Sequence, residues 1–225
     1  GCESVGEVVA VGRDVGEFQE GDLVVSPYLG SAFTEYLYRE PSRLVKVPNI
    51  APGTMSAVNG GCTASIGLQV VGEMGSDETV LVTAAAGGVG SWVVQLAKLA
   101  GNHVIGTCST EAKADRLKTL GCDRVILYRD EDLDAVLKDE YPDGIDLVFE
   151  QVGEATFDTC VENVARRGRI LICGFISEYQ NGPQEVVAPR IYHKLLWKSA
   201  QLRGFLHSDW PECFHEHLAR NIQLI

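Results

Sequence analysis

Residues Val80-Leu81-Val82-Thr83-Ala84 run without a break into Ala85-Ala86-Gly87-Gly88-Val89-Gly90, and Val89–Leu99 then follows a helical pattern. An apolar run, a glycine-rich turn and a helix start are the first half of a βαβ unit. Set against GxGxxG, Gly87 and Gly90 fill the second and third glycine positions, and Ala85 the first. A glycine at 87 removes a Cβ where a pyrophosphate would approach the backbone. A glycine at 90 lets the helix pack close to the strand. The helix start then offers unpaired N–H groups to an anion. The run alone also fits a plain strand-to-helix turn, so its surroundings decide the reading.

Those surroundings alternate in the same way for most of the chain. Apolar runs occur at Val80–Ala84, His103–Cys108, Arg124–Tyr128, Ile145–Glu150, Arg169–Phe175 and Leu202–Leu206. Amphipathic stretches lie between them at Val89–Leu99, Glu111–Leu120, Leu133–Glu140, Ala155–Ala165 and about Arg190–Lys198, and a further helical stretch at Pro211–Gln223. Nearly continuous apolar strands separated by helices demand a parallel sheet covered on both faces. Five right-handed crossovers on six strands make a doubly wound, Rossmann-type α/β sheet. Residues 53–73 carry a weak helical pattern loosened by Gly60, Gly61 and Gly67.

Residues 1–52 differ. Val8, Val9 and Val11, then Leu23-Val24-Val25 after the turn Gly21-Asp22, then Phe33, Tyr36 and Tyr38 before Pro41, read as antiparallel strands. Their apolar content is too small for an independent core. The expected organisation is part of a β-rich domain at 1–52 and a dinucleotide-binding domain at 53–225.

Composition narrows the function. The 225 residues carry 19 Lys+Arg against 31 Asp+Glu, a net charge of −12, which repels a phosphate backbone and argues against nucleic acid as partner. No run of 18 apolar residues exists, so no membrane span is expected. Seven scattered cysteines without a CxxC pair suit a reducing compartment. The first residue is Gly1 rather than Met, which reads as a fragment or a processed form. No GxSxG motif supports hydrolase chemistry.

The second strand chooses the cofactor. NAD sites place an acid near the end of that strand, to hold the ribose 2′-OH. Here the end reads Gly106-Thr107-Cys108-Ser109-Thr110, and the first carboxylate is Glu111, already in the next helix. Ser109 and Lys113 can bind a 2′-phosphate, so NADPH is expected over NADH. Taken singly, Ser109 reads as a helix cap and Lys113 as a solvated lysine. Their joint placement favours the phosphate.

These motifs carry a resemblance. Gly1-Cys2-Glu3-Ser4-Val5-Gly6-Glu7-Val8-Val9 with Gly12 resembles the GxExxGxV turn of the medium-chain dehydrogenases/reductases; Gly21-Asp22-Leu23-Val24 resembles their GDxV turn, and Ala84–Gly90 their AxxGxxG loop. Leu81–Gly88, His103–Ser109, Leu120–Arg124 and Gly174–Gln180 are similar to the prostaglandin-reducing enone reductases within that superfamily. The resemblance spans nearly the whole chain. It implies that 1–52 is part of a GroES-like catalytic domain, and that the activity is zinc-independent, NADPH-dependent reduction of an enone carbon–carbon double bond, as in a 15-oxo-prostaglandin. It implies cofactor contacts at Ala85, Gly87, Gly88, Val89 and Gly90 in the loop. Tyr128 would lie against the adenosine. Gln151 and Cys173 would face the cofactor from strand ends. Tyr179 would hold the nicotinamide ribose and, as the catalytic candidate, donate toward the enolate. Phe205 and Leu206 would contact the nicotinamide. Tyr128 and Phe205 read equally as core aromatics, and Cys173 as a buried small residue.

The same superfamily contains zinc alcohol dehydrogenases with a His after the first glycine of GxExxG. This chain has Cys2 there and Asn59 at a later ligand position, so no zinc is expected. His193, His207, His215 and His217 do not replace the missing ligands. A quinone oxidoreductase is the alternative enzyme, and a non-catalytic nucleotide-binding form the alternative outside catalysis, since a chain cut at both ends would bind NADPH and reduce enones poorly. The resemblance leaves a homodimer open. Cytosol is the default compartment and peroxisome the alternative.

Overall fold

The computed structural model describes residues 1, 3–27, 33–183 and 185–225. The chain divides into two compact units, Gly1–Cys62 with Pro211–Ile225, and Thr63–Trp210. Short helices α1 (Pro52–Ser56) and α2 (Cys62–Ile66) precede the larger sheet, and helix α8 (Pro211–Gln223) groups with the first unit because it packs on the helical turn Ala57–Gly61.

The first unit holds a three-stranded antiparallel sheet of β1 (Ser4–Glu7), β2 (Leu23–Ser26) and β3 (Val45–Lys46), with β2 central. Antiparallel pairing is as the sequence predicts, but two strand expectations are corrected. The ladder stops at Val8, whose N–H donates to the carbonyl of Asp22 and whose carbonyl accepts from Gly21. Gly21 has φ +89° and turns the chain back there, so β2 offers no register beyond it. Val9 and Val11 therefore lie outside any strand and exposed. The aromatic stretch is not a strand either: Phe33, Tyr36 and Tyr38 have no ladder partner among the described residues, and Phe33 is 91% exposed.

The second unit is the expected sheet. Six strands, β4 (Thr79–Val82), β5 (His103–Cys108), β6 (Arg124–Leu127), β7 (Ile145–Glu150), β8 (Val164–Ile172) and β9 (Gln201–Gly204), lie in the order β6-β5-β4-β7-β8-β9, every neighbouring pair parallel. The connecting helices include α3 (Gly88–Leu99), α4 (Glu111–Thr119), α5 (Leu133–Glu140), α6 (Glu154–Asn163) and α7 (Tyr192–Lys198). One boundary moves: Val164 and Ala165, expected to end a helix, open β8, with Val164 paired to Ile145. Leu81, Ile105, Ile126, Leu137, Ile145, Val148, Val161 and Ile170 form the core. Burying each such side chain stabilises by about 1.5–3 kcal/mol.

The amino-terminal edge of this sheet is locked by polar bonds. Arg169 holds Glu78 through Nη2 at 2.8 and 3.0 Å and donates from Nε to the Gly72 carbonyl at 2.7 Å. The Thr79 N–H donates to Asp146 at 2.9 Å. Asn102 accepts from the Glu78 N–H at 2.9 Å and donates to the Gly75 carbonyl at 3.0 Å. Among the described residues, no helix is long and apolar enough to cross a membrane, and six cysteines are free thiols.

Beside β6, Arg124 bonds Glu131 at 2.6 Å and Glu140 at 2.8 and 2.9 Å. Those bonds hold both carboxyls below their ordinary value of 4.5. A carboxyl lowered in the folded state stabilises above its unfolded value, and that contribution is lost as pH falls through the folded one. We therefore expect Arg124→Met to be less stable than the native protein at pH 7 and to lose less on acidification from about pH 5 to 3. Urea titrations across that range check it. Parallel stability curves for the two proteins would contradict this account.

Candidate active site at the carboxyl ends of the sheet

Strand β4 ends between β5 and β7, where the crossovers diverge to opposite sides, and the residues after it bond to both neighbours. The Thr83 N–H donates to the Phe149 carbonyl at 3.1 Å, on the β7 side. The Ala85 N–H donates to the Thr107 carbonyl at 3.0 Å, on the β5 side. Ala84 between them has φ +47°, a left-handed conformation that costs a residue with a Cβ about 1 kcal/mol or more. Its N–H is held by the Thr107 hydroxyl at 3.2 Å. The Gly87 N–H then closes a turn onto the Ala84 carbonyl at 2.9 Å.

Helix α3 starts directly after this elbow. Gly87 is its N-cap, in extended conformation with no side-chain cap, so the first N–H groups of the helix have no intrahelical acceptor. Gly87 and Gly88 are exposed, Val89 is half-buried and Gly90 is buried. A Cβ on Gly88 would meet no atom within 4 Å. One on Gly87 would meet only the Ala84 carbonyl at 3.2 Å. One on Gly90 would lie 2.5 Å from the Ala84 carbonyl oxygen and 2.8 Å from Ala85 Cα. The two roles read from the sequence are thus separate: open space before Gly87 and Gly88, and close packing behind Gly90. Ala85 is fully buried with its methyl beside Gly106, so it shapes the loop from beneath.

On the β5–β6 side, Lys113 Nζ donates to Ser109 Oγ at 3.3 Å, joining the two residues expected to act together. Tyr128, at the end of β6, is 53% exposed and is no core aromatic. Its N–H donates to the Cys108 carbonyl at 3.2 Å.

On the β7–β9 side the expected residues divide into exposed and engaged. Tyr179 is 57% exposed, packs edge-on against Phe175 and brings its hydroxyl over Gly174, where a Cβ would be 2.8 Å from it. Leu206 is exposed. Phe205 is buried against Phe149, Trp210 and Gly67, so of its two readings the core aromatic is the one observed. Gln151 gives its side-chain amide to the Thr83 carbonyl at 2.7 Å. Burial, with the Glu150 carboxylate second, pushes the Cys173 thiol up to about 12, so it stays protonated and non-nucleophilic at neutral pH.

Three residues at this edge escape sequence reasoning: Thr83, Thr107 and Glu150. Each is buried and polar at the end of an apolar strand. A carboxylate closing the run Ile145–Glu150 was the available signal. His207 pairs with Thr63 at 3.1 Å, and burial lowers its pKa, leaving a neutral imidazole.

A model of the zinc-binding dehydrogenase family matches residues 88–223. The chain belongs to that family. Mouse prostaglandin reductase-3 is 42% identical to it over 226 residues, covering all of this chain and 60% of that protein. The chain thus spans less than two thirds of that relative's length. A mycobacterial protein, Rv1454c, solved in complex with NADPH, superposes with a TM-score of 0.86 at 31% identity, covering all of this chain and 70% of that one. Escherichia coli quinone oxidoreductase, also solved with NADPH, gives 0.87 at 28% identity over 99% of this chain and 69% of that one.

Despite the family's name, the described residues of this zinc-binding dehydrogenase domain do not fit a zinc ion. Asn59 hydrogen-bonds the Glu3 carboxylate, and a neutral amide is a poor zinc ligand. No group of three or more His, Cys, Asp or Glu gathers among the described residues. Cys2 lies outside them.

The glycine loop predicts a sharp contrast. Gly90→Ala should destabilise by about 1–3 kcal/mol, because backbone atoms block its Cβ. Gly88→Ala should stay within about 0.5 kcal/mol of the native protein. Urea unfolding measures both. Equal effects would contradict the packing assigned to Gly90.

Proposed function

We propose that this chain carries the cofactor domain and part of the GroES-like catalytic domain of an NADPH-dependent reductase. It would reduce the carbon–carbon double bond of α,β-unsaturated ketones, of the 15-oxo-prostaglandin type, without zinc. The observation that carries the reading is the open glycine loop at the switch point, joined along one edge to the Lys113–Ser109 pair with no carboxylate at the end of β5. Similarity to proteins solved with NADPH and to a prostaglandin reductase supports it.

Residues of this chain take the following roles. Gly87 and Gly88 leave room for the pyrophosphate, and the first N–H groups of α3 meet its charge. Lys113 and Ser109 bind the 2′-phosphate, and Tyr128 lies against the adenosine. Tyr179 holds the nicotinamide ribose and offers its hydroxyl to the developing enolate oxygen, where a donor lowers the barrier. Leu206 excludes water beside the nicotinamide, with Phe205 supporting it from below. Gln151 and Cys173 line the strand ends. NADPH, when bound, supplies the hydride. The partner is a small-molecule enone, in the cytosol. A second copy of the chain would meet it at β9, one of the two edge strands of the sheet.

The second reading, a quinone oxidoreductase, has its support in the Escherichia coli relative. Anaerobic turnover by the full-length protein separates the two. We expect kcat/KM for a simple enone to exceed that for a quinone by roughly tenfold or more, about 1.4 kcal/mol in barrier. The reverse order would replace the enone reading.

Lys113→Ala should weaken NADPH binding roughly tenfold and leave NADH binding nearly unchanged, as loss of a charge-assisted hydrogen bond requires. Fluorescence titration with each cofactor checks it, and equal losses would refute the 2′-phosphate role. Elemental analysis should find no stoichiometric zinc; about one zinc per chain would overturn the metal-free mechanism.

A further inference from the structure

We infer that Glu150 is a positioning residue for the cofactor groove. Through Thr83 it holds the strained entrance of the glycine loop, and through Val152 and Gly153 it holds the segment that bears Tyr179. The inference rests on the cofactor site proposed above.

Glu150 is 1% exposed and Thr83 fully buried. Burying a carboxylate costs several kcal/mol unless donors surround it. Here Oε1 accepts from Thr83 Oγ1 at 3.2 Å, from the Val152 N–H at 2.8 Å and from the Gly153 N–H at 3.1 Å. Oε2 accepts from the Gly153 N–H at 3.2 Å. These donors belong to two different loops, one after β4 and one after β7.

Both loops lead onward to proposed site residues. Thr83 Oγ1 accepts from the Gln151 N–H at 2.8 Å, and the Thr83 carbonyl accepts from the Gln151 side chain at 2.7 Å. The next residue is Ala84, at φ +47°, where the glycine loop begins. On the other side, the Val152 carbonyl accepts from Ser177 Oγ at 2.6 Å and from the Ser177 N–H at 3.1 Å. The Gln151 carbonyl accepts from the Ile176 N–H at 3.1 Å. Ser177 lies two residues before Tyr179. One carboxylate therefore stands between the pyrophosphate end and the ribose end of the groove. Burial raises its carboxyl above the ordinary range in spite of these donors, which fits a group retained at a cost. A side chain serving only to start α6 would need the Gly153 N–H alone. The bonds to Thr83 add the link across the switch point.

The test uses the full-length protein and five variants: Glu150→Gln, Thr83→Val, the double variant, Thr83→Ser and, as a control on the site itself, Gly87→Val. NADPH affinity is read by fluorescence titration well below the melting temperature of each, beside the kcat and KM of enone reduction. We expect Glu150→Gln and Thr83→Val each to raise the NADPH Kd and KM by roughly fivefold or more, as loss of one hydrogen bond to a charge predicts. The kcat at saturating cofactor should change less. The double variant should bind NADPH no more than about twofold worse than the weaker single variant, the non-additivity of one shared unit. Thr83→Ser, which keeps the hydroxyl, should bind like the native protein. Lowered melting temperature with unchanged NADPH Kd would reduce Glu150 to a structural role, and fully additive losses would break the link to Thr83. Either result overturns the inference. Should Glu150→Gln fail to fold, the contrast between Thr83→Val and Thr83→Ser decides alone. Gly87→Val keeps the two proposals apart. If it binds NADPH normally, the cofactor site itself is misassigned. If it loses binding while Glu150→Gln and Thr83→Val bind normally, the site stands and the positioning role falls.

Discussion

One backbone elbow organises the Thr63–Trp210 unit. Thr83 bonds toward β7 and Ala85 toward β5, and the residue between them must reverse its direction to allow both. Ala84 does so at φ +47°, a conformation a non-glycine residue adopts only when its surroundings hold it there. The surroundings are visible: the Thr107 hydroxyl on the Ala84 N–H, and the Gly87 N–H on the Ala84 carbonyl. Because the elbow is fixed, α3 leaves at an angle that brings Gly90 against the backbone of Ala84 and Ala85 and leaves Gly87 and Gly88 bare.

The two ends of the sheet use polar groups differently. At the amino-terminal edge, Arg169, Glu78, Asp146 and Asn102 bond one another or nearby backbone and lock strands to connecting loops. At the carboxyl edge, Thr83, Thr107 and Glu150 are buried just beneath a rim of exposed residues, Lys113, Tyr128, Tyr179 and Leu206 among them. A rim on loops and a helix start above a hydrogen-bonded base is suited to binding, because the base sets positions while the rim supplies chemistry. Burial pushes the thiols of Cys62, Cys122 and Cys173 up to about 12, so they behave as small apolar residues.

The sequence by itself determined the parallel sheet, its six strands and the loop. Those features are written in local pattern: apolar runs of strand length, helical periodicity between them, and glycines at fixed offsets. It also marked Ser109 and Lys113, because no carboxylate stands at the end of the second strand. What it misjudged lies where pattern depends on a distant partner. Val9, Val11 and the Phe33–Tyr38 aromatics look like strand residues, yet a strand exists only where another supplies its hydrogen bonds. Val164 belongs to β8 because Ile145 pairs with it. Only the tertiary structure decided that Phe205 is core while Tyr128 and Tyr179 are rim, that Gln151 spends its amide on Thr83, and that Glu150 gathers donors from two loops. Burial and hydrogen-bond partnership arise between residues far apart in the chain: Thr83 and Glu150 are separated by 67 positions, and no local window contains both.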